Sequence, residues 1–311
     1  MNRLRIGSRE SALALRQTQT VIRSLEQRHP EISYELIPIK TTGDQILDRA
    51  LAKIGDKGLF TKELENALIQ GEIDLAVHSL KDLPGDLPEG CCLAAVTARI
   101  EARDVLISRQ GEKFDQLPRG AVLGTSSLRR KASLRRVRPD LRFVDIRGNI
   151  ETRIRKMQSE GLDGIILAAA GLIRMNYEQL VAEYLPPELS LPAVGQGILG
   201  IETRVGDLRT IAVIASIHDQ RTMLIAEVER AFLQTLGGGC QIPMGALAEW
   251  IGGNIKFRGN ILSIDGQQCL YSEKERFVEN AEQAVELGRS VAEDILRSGA
   301  DAILSECRQL A

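Results

Sequence analysis

A chain of 311 residues has room for two or three domains of ordinary size. With 43% hydrophobic residues, 26% charged residues and a formal net charge of −2, it reads as globular and excludes low-complexity or fibrous classes. No stretch reaches the roughly 20 apolar residues of a membrane span. The opening Met1-Asn2-Arg3-Leu4-Arg5 lacks a secretory apolar core, so a cytoplasmic protein without membrane association is expected.

In chain order, Leu4-Arg5-Ile6 reads as a short strand ending at Gly7. Ser11 is a helix cap, with Leu15, Ile22 and Leu25 on one face of the helix it opens. A second strand is predicted near Tyr34–Ile39. Phe60, Leu64 and Leu68, spaced by four, mark another amphipathic helix. Asp74–Ser79 reads as a buried strand ending on Lys81-Asp82. Val122-Leu123 is a strand leading through Gly124-Thr125-Ser126-Ser127 into an arginine-rich helix, and Phe143–Ile146 and Gly164–Ala168 are further strands. The openings IGSRESALA and LGTSSLRRKA resemble one another, a weak sign of a duplicated fold. Gly195–Ile201, after the proline-marked stretch 186–192, is an apolar return segment able to rejoin the first sheet. Beyond residue 220 the pattern changes. A helix at Met223–Leu236 runs into Gly237-Gly238-Gly239-Cys240, and two strands flank a turn at Asp265-Gly266. A helix with Ala284, Leu287, Val291 and Ile295 on one face follows, then a short strand at 302–305. The class is α/β, with a small C-terminal α+β domain.

The near-neutral total hides an asymmetry. Between Gly124 and Lys156 there are eleven basic residues against three acidic ones, whereas from Gln220 onward there are nine against thirteen. The middle of the chain is built to meet an anion. Nucleic acid is not the expected one, because only Phe143 supplies an aromatic platform within the basic stretch. The five cysteines (91, 92, 240, 269 and 307) are odd in number and, with three scattered histidines, show no metal-ligand spacing. Neither a disulfide framework nor a metal site is expected.

Three segments carry chemistry. Thr125-Ser126-Ser127 before Arg129 and Arg130, with Arg147 and Arg153 downstream, combines helix-start donors with guanidinium forks that suit carboxylate or phosphate. A solvated basic helix face is the plain alternative. Ser8-Arg9-Glu10-Ser11 is a weaker site of the same type. His78-Ser79-Leu80-Lys81-Asp82-Leu83-Pro84 places opposite charges at a strand end, where an aspartate can move protons or face a developing cation. A surface ion pair is the alternative there, and His78 reads as a packed strand histidine. Gly237-Gly238-Gly239-Cys240 frees the backbone before a thiol that could carry a bulky group, or could simply be a buried structural cysteine after a helix C-cap.

Together these segments resemble the porphobilinogen deaminase family. The resemblance rests on Gly7-Ser-Arg-Glu-Ser-Ala-Leu-Ala14, Lys57-Gly-Leu-Phe-Thr-Lys-Glu-Leu64, His78-Ser-Leu-Lys-Asp-Leu-Pro84 and Gly124-Thr-Ser-Ser-Leu-Arg-Arg130. It continues through Arg147-Gly-Asn149, Ala170-Gly-Leu172, Leu191-Pro-Ala-Val-Gly-Gln-Gly197 and Gly239-Cys-Gln-Ile-Pro243, in family order over nearly the whole chain. It implies two lobes like those of periplasmic binding proteins with a cleft between them, at 1–98 plus 198–216 and at 103–192. A third domain at 220–311 carries the cofactor cysteine. It further implies a dipyrromethane cofactor in thioether linkage to Cys240, and Asp82 as catalytic carboxylate at pyrrole N–H groups. Arg9, Ser11, Lys81, Ser127, Arg129, Arg130, Arg147, Arg153 and Arg174 are the implied receptors for acetate and propionate side chains, and Lys57 lies in a mobile loop. The implied activity is stepwise condensation of porphobilinogen by a monomer. Two departures from the family pattern, Asp56 for a common glycine and Ala102 for a common proline, bear on loop and hinge behaviour. The rival reading is a two-lobed anion receptor without chemistry.

Overall fold

A computed structural model describes residues 3–45, 58–239 and 241–309. In chain order the elements are β1 (Arg3–Arg9), α1 (Ala12–Arg28), β2 (Ser33–Ile39), α2 (Thr42–Gln45), α3 (Lys62–Ile69), β3 (Leu75–Ser79) and β4 (Cys91–Val96). There follow β5 (Asp104–Ser108), β6 (Val122–Gly124), α4 (Leu128–Val137), β7 (Arg142–Val144), α5 (Ile150–Ser159), β8 (Gly164–Ala168), α6 (Ala169–Met175) and β9 (Glu183–Tyr184). The chain ends with β10 (Leu199–Arg204), α7 (Leu208–Ile214), α8 (Gln220–Thr235), β11 (Met244–Ile251), β12 (Asn254–Leu262), β13 (Cys269–Arg276), α9 (Ala281–Arg297) and α10 (Ala300–Gln309).

Two compact units form, and the chain crosses between them at Ile100/Glu101, Gln196/Gly197 and Met223/Leu224. The first holds a five-stranded sheet in the order β2-β1-β3-β10-β4. Strands β1, β2 and β3 are parallel, while β10 lies antiparallel between β3 and β4. The second unit contains a sheet in the order β7-β6-β8-β5-β9. It repeats the scheme, with three parallel strands and an antiparallel fourth, here β5. In both lobes the antiparallel strand is the one that follows a crossing. The two sheets thus share one topology, so the weak likeness of the two openings does mark a repeated architecture.

Local sequence explains most of these elements. Ser11 caps α1 by accepting from the Ala14 N–H at 3.3 Å, and Asn149 and Asn280 cap α5 and α9 in the same way. The buried stripe of α1 is Ala14, Gln17, Thr18, Val21 and Leu25. Ile22 packs at its edge and Leu15 is only half-buried, so the helix is rotated slightly from the face that the largest apolar residues suggest.

The second unit also contains the antiparallel meander β11-β12-β13, covered by α8 and α9. Phe232 and Phe257 meet edge to face at 5.5 Å in its core. The strand β11 is an addition to the two expected around Asp265-Gly266. Its signal is Gly252-Gly253, whose φ values of 54° and 95° form the two-residue loop between Ile251 and Asn254. The strand expected at 302–305 is instead the middle of α10. Ala300, Ile303, Leu304 and Cys307 are buried at helical spacing, and a short apolar run does not by itself separate the two periods.

Gly288 marks a close approach of α9 to α8, since a Cβ there would sit 2.1 Å from the Val228 carbonyl oxygen. Gly288→Ala is expected to lower stability by about 1–3 kcal/mol through overpacking, read as a shifted denaturant midpoint at unchanged slope. An unshifted midpoint would show that the helices part without cost.

Candidate active site

Parallel pairing of β1 and β3 brings their carboxyl ends to one edge of the first sheet, the edge where α/β folds place ligands. From β1 the chain runs through Ser8 and Arg9 to Ser11. From β3 it runs through Ser79 into a 3-10 turn, Leu80–Asp82. The two segments meet at a pocket lined by Arg9, Ser11, Gln17, Phe60, His78 and Asp82 among others. Arg9 Nη1 stands 3.9 Å from Asp82 Oδ2, and the side chains are 21% and 35% exposed. That separation is an ion pair but too long for a hydrogen bond, which leaves the carboxylate oxygens able to accept from a ligand. The Arg9 guanidinium also lies 4.2 Å from the centre of the Phe60 ring. Gln17 donates to Ser79 Oγ at 2.9 Å. Lys81 lies half-buried on the same turn as Asp82.

Neither Phe60, expected on the face of an amphipathic helix, nor Gln17 is among the site residues expected from the sequence. Phe60 precedes α3 rather than opening it, and it is held by backbone contact: Gly43 donates to Leu59 O at 2.8 Å, and a Cβ on Gly43 would strike the ring at 2.3 Å. Only the motif Lys57–Leu64 could have pointed to it. His78 is packed, as expected of a strand histidine, but it is also paired, with Nε2 lying 3.0 Å from Glu202 Oε2 and both side chains buried. Behind them, burial and the Glu202 charge raise the pKa of Glu65. Burial also pushes the Cys91 thiol up to about 12.

In the second lobe β6 leads into α4. Thr125 Oγ1 accepts from the Ser127 N–H at 3.3 Å, Ser126 Oγ donates to Ile146 O at 3.0 Å, and Ser127 caps α4 by accepting from the Arg130 N–H. The hydroxyls thus shape the turn. Arg129 and Arg130, expected to receive acetate and propionate groups, both point their guanidinium groups into the lobe. Arg129 Nη1 and Arg130 Nη2 each donate at 2.8 Å to the fully buried carboxylate of Asp104 on β5. Arg129 also reaches Ser190 Oγ and Leu191 O, and Arg130 reaches Ile166 O. Arg147 is half-buried, and Arg153 Nε donates to Gly148 O at 2.8 Å. Burial alone lowers the Arg174 pKa to about 10.

Burial alone would raise the Asp104 pKa, but Arg129 and Arg130 overcome it and hold the carboxyl well below its usual range. A depressed folded pKa means stability that is present above the unfolded value of about 3.9 and lost as pH falls below it. Asp74, where the hydrogen bonds of Arg5 outweigh burial, acts in the same direction. The melting temperature is therefore expected to fall below about pH 4, and a rise between pH 4 and 3 would contradict this.

Cys240 and Lys57 lie outside the described residues. On either side of the cysteine, Gly238 donates to Leu233 O and Ile242 donates to Gly239 O. No helix of the described residues is long and apolar enough to cross a membrane.

The arrangement has close relatives. Residues 4–212 match the family profile "Porphobilinogen deaminase, dipyromethane cofactor binding domain" and residues 223–297 match "Porphobilinogen deaminase, C-terminal domain". The chain is 50% identical over 309 residues to the porphobilinogen deaminase of Syntrophomonas wolfei subsp. wolfei, covering 99% of this chain and 100% of that one. It is also 50% identical over 302 residues to that of Syntrophotalea carbinolica, covering 97% and 95%. With both profiles in order and identity sustained from end to end, this chain belongs to the porphobilinogen deaminase family.

Proposed function

We propose that this chain is a transferase of tetrapyrrole biosynthesis. It joins four porphobilinogen molecules head to tail on a dipyrromethane held by thioether to Cys240, releasing one ammonia per addition, and hydrolysis then frees hydroxymethylbilane. The observation that supports it best is the half-exposed Asp82 carboxylate beside Arg9 in a pocket at the carboxyl edge of the first sheet. Porphobilinogen carries two carboxylates and a pyrrole N–H, so a two-ring group presents four carboxylates and two N–H donors. In the first unit Arg9 lies in the pocket with Asp82 as acceptor, and Lys81 shares the Asp82 turn; Arg147, Arg153 and Arg174 of the second unit are proposed as further carboxylate receptors. When bound, the dipyrromethane supplies the free α-carbon at which chain growth starts.

In this reading Asp82 Oδ accepts the pyrrole N–H and faces the cation that develops as the substrate's C–N bond breaks. In its acid form Asp82 gives its proton to the leaving amine. Arg9, with its guanidinium set against the Phe60 ring, holds a substrate carboxylate in the pocket. Arg129 and Arg130 contribute through the shape and charge of the α4 start. The proposed domains are 1–98 plus 198–216, 103–192 and 220–311. The separate apolar cores within the second unit, and the gap between the two family matches, support the last boundary. The proposed working form is a cytoplasmic monomer.

Incubation with porphobilinogen tests the activity. Loss of substrate with equimolar ammonia supports it, and saturable binding of porphobilinogen without ammonia release would make the chain a receptor instead.

A further inference from the structure

Two guanidinium groups share one carboxylate beneath the start of α4. Arg129, Arg130 and Asp104 have side-chain exposures of 6%, 8% and 0%. The other acceptors of the two arginines, Ser190 Oγ, Leu191 O and Ile166 O, are neutral. Gln196, also neutral, donates to Asp104 Oδ1 at 2.9 Å and to Ala102 O at 2.6 Å. The buried group therefore carries an excess of one positive charge. Arg130 Nε, buried with the rest, has no hydrogen-bond partner among the described residues. An uncompensated buried charge is costly, and this one sits where the α4 dipole is also positive.

We propose that Asp104 is a positioning residue that sets this buried charge at one unit, acting through Arg129 and Arg130 to make the α4 start attractive to the carboxylates of the growing chain without tearing the lobe apart. With no acid the pair would repel; with one arginine fewer the excess would vanish. The same carboxylate accepts from Ser190 and Gln196 of the segment before the second crossing, while Arg129 reaches Leu191 O and Gln196 reaches Ala102 O, so the cluster gathers both segments next to the crossings. The inference rests on the functional reading above.

The test compares full-length Asp104→Asn, Arg129→Gln and the double variant, whose clusters carry charges of two, zero and one. The readouts are melting temperature and the fraction of chain carrying dipyrromethane by intact mass. Asp104→Asn is expected to melt roughly 10 °C lower and to load poorly. Arg129→Gln is expected to load less than one-tenth as well as wild type. The double variant, with charge balance restored, is expected to melt above Asp104→Asn and to load better than either single variant. A role in hydrogen bonding alone predicts the opposite order, because the double variant has lost the most. A double variant that melts below both, loads below both, or fails to fold would overturn the proposal. A wild-type chain bearing no dipyrromethane would defeat the functional reading instead, and the melting order would still judge Asp104.

Discussion

Asp82→Asn is expected to reduce porphobilinogen turnover by roughly 10³-fold or more while leaving the fold unchanged. The size follows from the two tasks placed on one carboxylate. Moving a proton to or from a reacting group contributes about 10²–10⁴-fold, and a preorganised group facing developing charge contributes about 10²–10³-fold. Losing both adds at least about 4 kcal/mol to the barrier. Asparagine keeps an acceptor for the pyrrole N–H but has neither the charge nor the transferable proton. The fold has little at stake, because the Arg9–Asp82 pair is part-exposed and 3.9 Å long. Such pairs contribute about 0–1 kcal/mol. Melting temperature within about 2 °C of wild type, alongside lost turnover, is the expected pair of results. Turnover within tenfold of wild type would remove Asp82 from the chemistry.

Glu229→Ala should do the reverse and destabilise the second unit without touching a reacting group. The Glu229 side chain is fully buried in α8. Its Oε2 accepts from the Gly195 N–H at 2.7 Å and its Oε1 from the Ala248 N–H at 2.8 Å. It thus binds the 191–197 segment and β11 to one helix. Alanine leaves two buried N–H groups without acceptors, at about 1–3 kcal/mol each, and a cavity besides. A loss of about 3–5 kcal/mol is expected, read as a lower denaturant midpoint. Glu229→Gln retains one acceptor oxygen and turns an NH2 toward the other N–H, so about half that loss is expected. Equal, small effects from both substitutions would mean that water replaces the carboxylate.

What the sequence makes legible is whatever is decided within a few residues. Ser11 and Ser127 cap helices because strand end, hydroxyl and helix follow in one short run, and Asp82 is exposed at a strand end for the same reason. Arg129 and Arg130 show the limit. Adjacent arginines after a Ser/Thr turn look like an open anion receptor until Asp104, 25 residues away on an antiparallel strand, is seen to take both. Phe60 is placed over Arg9 by a backbone contact with Gly43 across a segment whose length hides the pairing. The helix α10 and the strand β11 were decided by tertiary burial and by a two-glycine loop, neither of which periodicity over four or five residues resolves.

Intact-mass measurement of the purified chain tests covalent priming at Cys240 most directly. Wild type should exceed its polypeptide mass by one dipyrromethane and, with porphobilinogen added, gain increments of one porphobilinogen less ammonia. Cys240→Ser should show the bare polypeptide under both conditions. A bare wild-type mass with no increments, or an adduct that survives Cys240→Ser, would contradict it.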